Sequence, residues 1–196
     1  MKKKILIVGG DSLIGKNLSI YLRRKGVNFT ITSKRKKTGK NIIFLDLNNL
    51  KNINNLKEKI NSFDVIIYCI SMTNIRDCEL NPVISYNINV KQTMLFFSLI
   101  NKKIKVLYLS TASVFDGFKK RCGEREIYKP LNQYGIQKCI VEKKIIGKQN
   151  YHIIRISKVI SNEMEILVDW SDKIKRGEKI EAYTNRYTNP IKMDLL

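Results

Sequence analysis

Two reactive side chains stand four residues apart in the run Pro130-Leu131-Asn132-Gln133-Tyr134-Gly135-Ile136-Gln137-Lys138. At i and i+4 of a helix they share one face. A phenol ordinarily titrates near pH ~10, too high to exchange its proton readily at neutrality. An ammonium beside it stabilises the phenolate and lowers that value, so Tyr134 and Lys138 read as an acid–base pair. Upstream, Ser110-Thr111-Ala112-Ser113-Val114-Phe115-Asp116-Gly117 closes an apolar run. That puts the Thr111 hydroxyl at the carboxyl end of a strand, able to bond a substrate oxygen. A proton donor and an orienting hydroxyl are what reversible hydride transfer to a carbonyl needs beside a bound nicotinamide, whose ribose hydroxyls Lys138 can also hold. Taken alone, a Tyr and a Lys at this spacing are usually surface residues. Their weight comes from the elements around them.

The chain has 196 residues, one domain or one domain and part of a second at about 150 residues each. Lys4–Val8 is a β-branched apolar run ending in glycine, a buried strand. Leu13–Lys25 has helical spacing, with Ile14, Leu18, Tyr21 and Leu22 on one face and Gly26 as its stop. Val27–Thr32 and Asn41–Leu45 read as strands, and Leu50–Ile60 as a polar helix. Val65–Ile70 is apolar throughout, as central parallel strands are. Asn81–Ile100 reads as one long helix with Pro82 in its first turn. Ile104–Leu109 is a fifth strand, 112 to 131 mostly loop, Gln133–Ile146 a helix and Tyr151–Ile156 a sixth strand. Beyond Asn162 the pattern changes to a helix around Met164–Lys175, a stop at Gly177 and a short strand near Ile180–Tyr183. Strands alternating with helices predict an α/β fold, a doubly wound parallel sheet that binds ligands at the carboxyl ends of its strands.

The first strand runs into Gly9-Gly10-Asp11-Ser12-Leu13-Ile14-Gly15. Gly9 can make a tight turn, and Gly15 lets the helix pack close to the strand. The helix N-terminus then offers N–H groups and a positive dipole end to a pyrophosphate. Ser12 stands where a central glycine is usual; it is a good N-cap, and its hydroxyl can donate to phosphate. The alternative is an ordinary turn, but its place after the first strand favours a dinucleotide. The second strand ends in Ser33-Lys34-Arg35-Lys36-Lys37, without the carboxylate that NAD binders usually put there. Arg35 can clamp a 2′-phosphate with two bonds, so NADP(H) is the expected cofactor. A solvated basic loop is the competing account, and for Lys36 and Lys37 the better one. Asp46-Leu47 closes the third strand, where a carboxylate either contacts the adenine amino group or caps a helix.

Lys and Arg number 37 against 17 Asp and Glu, a net charge of +20. They are spread along the chain, only Lys34–Lys37 being tight, and no zinc-finger or RNP-type pattern accompanies them. No specific nucleic-acid partner is therefore expected. Cys69, Cys78, Cys122 and Cys139 form no CxxC pair and His152 is the one histidine, so no metal site is expected. Ile5–Val8 is too short for a signal-peptide core of ~7–15 residues, and no apolar run nears the ~20 that span a bilayer. A reducing, cytoplasmic compartment without membrane insertion is the expectation.

These pieces resemble an extended short-chain dehydrogenase/reductase, and within that class the dTDP-4-dehydrorhamnose reductase branch. The similarity rests on Gly9–Gly15, Asp64–Glu79 (DVIIYCISMTNIRDCE), Asn89-Val90, Ser110–Gly117 (STASVFDG), Pro130–Lys138 with Glu142, Arg155-Ile156-Ser157 and the tail Tyr187–Leu196. It implies Thr111, Tyr134 and Lys138 as the catalytic set. It implies Ser12, Leu13 and Ile14 along the pyrophosphate, Asp46 and Leu47 at the adenine, and Ile70 and Ser71 at the middle of the cofactor. Asn89 matches an asparagine that supports the active site. Bulky Ile70 and Met72 stand where the family usually has small residues. The resemblance further implies a dinucleotide-binding domain over 1–160 and a short, incomplete substrate lobe over 161–196. The implied activity is NADP-dependent reduction of a 4-keto nucleotide sugar for cell-surface polysaccharide, with a homodimer as a possible assembly. An epimerase or dehydratase of the same superfamily, or a non-catalytic NADP-binding regulatory subunit, are the alternatives. Dehydratases usually carry acidic groups after the catalytic Thr, and Ala112-Ser113 holds none.

Overall fold

A computed structural model describes residues 3–35, 39–46, 57–119, 122–160, 165–181 and 189–193. Six strands form one sheet: β1 (Ile5–Val8), β2 (Phe29–Ser33), β3 (Ile42–Phe44), β4 (Val65–Tyr68), β5 (Lys105–Thr111) and β6 (Tyr151–Ile156). Their order is β3-β2-β1-β4-β5-β6, and the pairings β2–β3, β1–β2, β1–β4 and β4–β5 are parallel. This is the doubly wound sheet that the alternating pattern predicts. Its direction of winding reverses between β1 and β4, which opens a crevice at their carboxyl ends.

Helices α1 (Leu13–Arg24), α2 (Lys57–Ile60), α3 (Ile75–Leu80), α4 (Pro82–Tyr86), α5 (Thr93–Ser98) and α6 (Gln133–Ile145) accompany the sheet. The single helix expected over Asn81–Ile100 is instead α4 and α5 joined by a π-helical segment, Asn87–Gln92. A π-turn leaves its carbonyls poorly matched, and Thr93 answers one of them: its hydroxyl donates to Ile88 O at 3.2 Å. The same Thr93 oxygen pairs with the Tyr68 hydroxyl at 3.1 Å. α3 has no counterpart in the sequence reading; its Asn74 cap accepts from Asp77 N–H.

The core lies between this helix and the sheet. Leu6, Val8, Ile66, Tyr68, Phe96, Val106 and Tyr108 are each at most 1% exposed. The rings of Tyr68, Phe97, Tyr108 and Tyr151 meet edge-on or tilted, with centroids 5.1–6.2 Å apart, an arrangement that adds quadrupole attraction to area burial.

The chain divides into two compact units, Met1–Arg155 and Ile156–Leu196. In the second, β7 (Val159–Ile160) and β8 (Ile191–Lys192) pair in parallel, and α7 spans Glu165–Lys175. Ile180 and Glu181 are irregular rather than strand, and 182–188 lie outside the described residues. No described helix is long and apolar enough to cross a membrane.

Candidate active site and nucleotide cavity

The glycine turn is tightly built. Ser12 caps α1: its hydroxyl donates to Gly9 O at 2.8 Å and accepts from Gly15 N–H at 3.0 Å. That proton is committed inside the turn, which leaves the first-turn N–H groups of Leu13 and Ile14 as those the helix start can offer an anion. A Cβ on Gly15 would come within 2.2 Å of Gly9 O, so no other residue lets α1 start this close to β1. A cavity of about 270 Å³ opens over this turn. Gly9, Ser12, Lys34, Asp46, Ile70 and Ser71 of the expected set line it. Asp11, Thr32, Leu45, Cys69 and Ile88 complete its wall. A diphosphate at the helix start, with a nucleoside toward β2 and β3, fits this cradle.

The end of β2 differs from the sequence reading. That reading found no carboxylate there, but Asp11 supplies one from the turn. Its Oδ2 accepts the Ser33 hydroxyl at 2.6 Å and the Lys34 N–H at 3.1 Å. Ser33 is therefore a strut, 2% exposed, rather than a free donor. Arg35 is solvent-exposed. Leu47, Lys36 and Lys37 lie outside the described residues.

The second cluster forms where β5 ends against the start of α6. Thr111 is the last residue of β5; it caps the 3₁₀ turn Ala112–Val114 by accepting from Ser113 N–H at 3.1 Å. Asn132 caps α6 through Gly135 N–H at 2.8 Å. A Cβ on Gly135 would lie 2.2 Å from Ser113 O, so this glycine lets the helix touch the strand end and brings Tyr134 to Thr111. The Ser71 and Thr111 hydroxyls stand near the Tyr134 phenol and favour its ionised form. Ser71 in turn donates to Asn89 Oδ1 at 2.8 Å, and Asn89 Nδ2 donates to Met72 O at 3.0 Å and Gln137 Oε1 at 2.7 Å. The π segment carries Asn89 into this chain of contacts.

Charge behaves differently from the expectation at Tyr134. Burial pushes its phenol up to about 12, with the Ser71 and Thr111 contacts opposing. Lys138 is turned to a backbone carbonyl and two rings. Its Nζ donates to Leu109 O at 2.8 Å and lies 4.5 Å from the Tyr108 ring centre and 5.8 Å from that of Tyr134. The expected lowering by Lys138 therefore does not prevail; desolvation does. Lys138 itself, 2% exposed, is brought down to about 7 by burial, with Glu142 opposing.

Glu142 is fully buried and closes the far side of the cluster. Arg155 grips it through Nη2 at 2.7 Å and Nε at 3.0 Å, Tyr128 donates to it at 2.9 Å, and Ser110 bonds its other oxygen. Asp11, Gln137 and the Arg155–Glu142 pair escaped role assignment in the sequence reading. The signals available were the type of Asp11 within a glycine turn and the place of Glu142 and Arg155 in the matched pieces.

A doubly wound parallel sheet with a glycine turn after β1 and a Tyr-x₃-Lys helix against a strand-end Thr defines an extended short-chain dehydrogenase/reductase. Within that class the chain belongs to the family described as the RmlD substrate binding domain, whose sequence profile matches residues 2–196. Among solved structures it is similar to a dTDP-4-dehydrorhamnose reductase from Clostridium acetobutylicum, at 21% identity and TM-score 0.80, covering 97% of this chain and 66% of that one. A hypothetical dTDP-4-dehydrorhamnose reductase from Sulfolobus tokodaii shares 25% identity at TM-score 0.80, over 97% and 68%. A UDP-glucose 4-epimerase from Thermotoga maritima, with UDP-glucose, shares 16% at TM-score 0.78, over 97% and 70%. The chain thus spans about two thirds of the length of these relatives.

Proposed function

We propose that this chain binds a nicotinamide dinucleotide and reduces a keto group on a nucleotide sugar, the 4-keto position being the first candidate, in the supply of precursors for cell-surface polysaccharide. The observation that carries this reading is the meeting of Tyr134, Thr111 and Ser71 hydroxyls at the carboxyl ends of β4 and β5, beside the cavity over the glycine turn. The family and the reductases among its structural relatives support the substrate class.

When bound, the cofactor supplies the hydride. The chain's own residues supply the rest. Thr111, whose hydroxyl donates to Ser113 Oγ at 3.2 Å, turns that bond to the substrate oxygen and fixes the carbonyl. Tyr134 gives that oxygen its proton as negative charge develops. With its phenol at about 12, the side chain holds a proton throughout the neutral range. It therefore starts as an acid, which suits reduction; a reaction that opens by oxidation needs the phenolate first. Lys138, anchored on Leu109 O, lies under the ring and holds it in line. Asn89 fixes the Ser71 hydroxyl, which stands near the phenol.

The sequence-based preference for NADP(H) rested on a β2 end free of carboxylate. Asp11 removes that premise. The test of function is oxidation of NADH or NADPH, followed by absorbance, with a 4-keto nucleotide sugar. Tight cofactor binding with no keto-sugar reduced at high concentration overturns the reductase reading in favour of a regulatory subunit.

A further inference from the structure

The anion at the end of β2 comes from the turn, not from the strand. Asp11 crosses to accept the Ser33 hydroxyl and the Lys34 N–H, and Ser33 Oγ accepts the Arg35 N–H at 3.1 Å. These bonds tie the turn, the strand end and the following loop together. They leave the carboxylate on the wall of the cavity, next to Lys34.

We propose that Asp11 makes this cavity select a dinucleotide whose adenosine ribose keeps its 2′-hydroxyl free, NAD(H), over one carrying a 2′-phosphate, NADP(H). The inference rests on the cavity being a dinucleotide site. In such sheets the adenosine ribose lies at the end of β2. A ribose diol donates to a carboxylate, a charge-assisted bond. A 2′-phosphate has only acceptors to offer and brings like charge to the same place. Lys34 and Arg35 pull the other way, but unequally. Both are exposed, where solvent screens a cation and ordering a long side chain costs rotamer entropy. Asp11 is short, half-buried and already held by two donors. The half-buried, held charge outweighs the exposed ones.

The experiment is calorimetric titration of the full chain with NADH and with NADPH, before and after Asp11→Asn. The amide keeps an oxygen to accept from Ser33 and Lys34 and loses only the charge. NADH should bind the unaltered chain about tenfold or more tighter than NADPH, the scale of one charge-assisted hydrogen bond. Asp11→Asn should shift the ratio about tenfold toward NADPH. Equal binding by the unaltered chain, or a ratio that Asp11→Asn leaves unchanged, overturns the proposal while the dinucleotide reading stands. If neither dinucleotide binds the folded chain, the reading of the cavity falls and this proposal with it. If the variant does not fold, AMP against adenosine 2′,5′-bisphosphate on the unaltered chain decides: AMP must bind the tighter.

Discussion

The two ends of the crevice treat charge in opposite ways. Among the described residues around the glycine turn the ionic groups are Asp11, Lys34, Arg35 and Asp46, half-buried or exposed, and short polar bonds hold the first three in place. At the β5–α6 junction Lys138 and Glu142 are 2% and 0% exposed. There the medium is of low dielectric, and proton affinities move by whole units. The first region can recognise a ligand by sign and shape. The second can hold a proton against water and release it to a developing oxyanion.

The sharpest break of this contrast is at the phenol. Tyr134→Phe keeps the ring and removes the hydroxyl, so turnover of a keto-sugar should fall by about 10²–10⁴ while dinucleotide affinity measured by calorimetry is retained. Full activity in Tyr134→Phe would refute the assigned chemistry. Next is Glu142→Ala, which strips a buried carboxylate from Arg155, Tyr128 and Ser110. Denaturant unfolding should show a loss of about 3–5 kcal/mol; a loss under 1 kcal/mol would mean that water reaches this cluster freely.

A smaller effect follows from pH. Lys138 titrates at about 7 when folded against an ordinary 10.5, so above pH 7 the unfolded chain holds more protons and stability rises with pH. Burial pushes Cys69 up to about 12 from 9.0, so above pH 9 the unfolded chain loses its proton first and this group's contribution falls. With these two groups, unfolding free energy should therefore climb from about pH 7, level off between about pH 9 and 10.5 where the two slopes cancel, and fall above that, each limb no steeper than about 1.4 kcal/mol per pH unit for one group. Lys138→Met should flatten the rising limb alone. The smallest effect belongs to the exposed end: Arg35→Ala should change affinity for either dinucleotide by less than about 1 kcal/mol. A tenfold loss confined to NADPH would show that the surface cations, not Asp11, read the ribose.

The two regions also differed in legibility. Thr111, Tyr134 and Lys138 announce themselves by type and spacing, and the pattern that places Thr111 at a strand end and the Tyr-Lys pair on a helix is local. What the sequence could not convey is desolvation. The i,i+4 rule puts an ammonium near a phenol, but only packing tells that Lys138 turns to Leu109 O and Tyr108 and that burial governs both groups. At the turn, the missing information was a contact spanning 22 residues, Asp11 to Ser33. Scanning the end of β2 for a carboxylate overlooks one delivered from another element. The sheet was readable because its strands are short, β-branched and buried. The Asn81–Ile100 helix was readable in extent but not in winding, since apolar periodicity does not reveal one residue too many.

That extra residue has a consequence of phase. An α-helix advances about 100° per residue, and a π-turn absorbs one residue without ending the helix. Ser85 before the shift and Asn89 within it address Gln137. Downstream, Phe96 and Phe97 address the rings of Tyr68 and Tyr108. The two halves are thus keyed to different neighbours, out of step with a single uninterrupted stripe. Deleting one residue, such as Ile88, would yield a more regular helix and turn one half by about 100° against the other. Either the aromatic layer or the amide chain behind Tyr134 would then lose its partner, so the frame in which this helix is wound is itself part of the site.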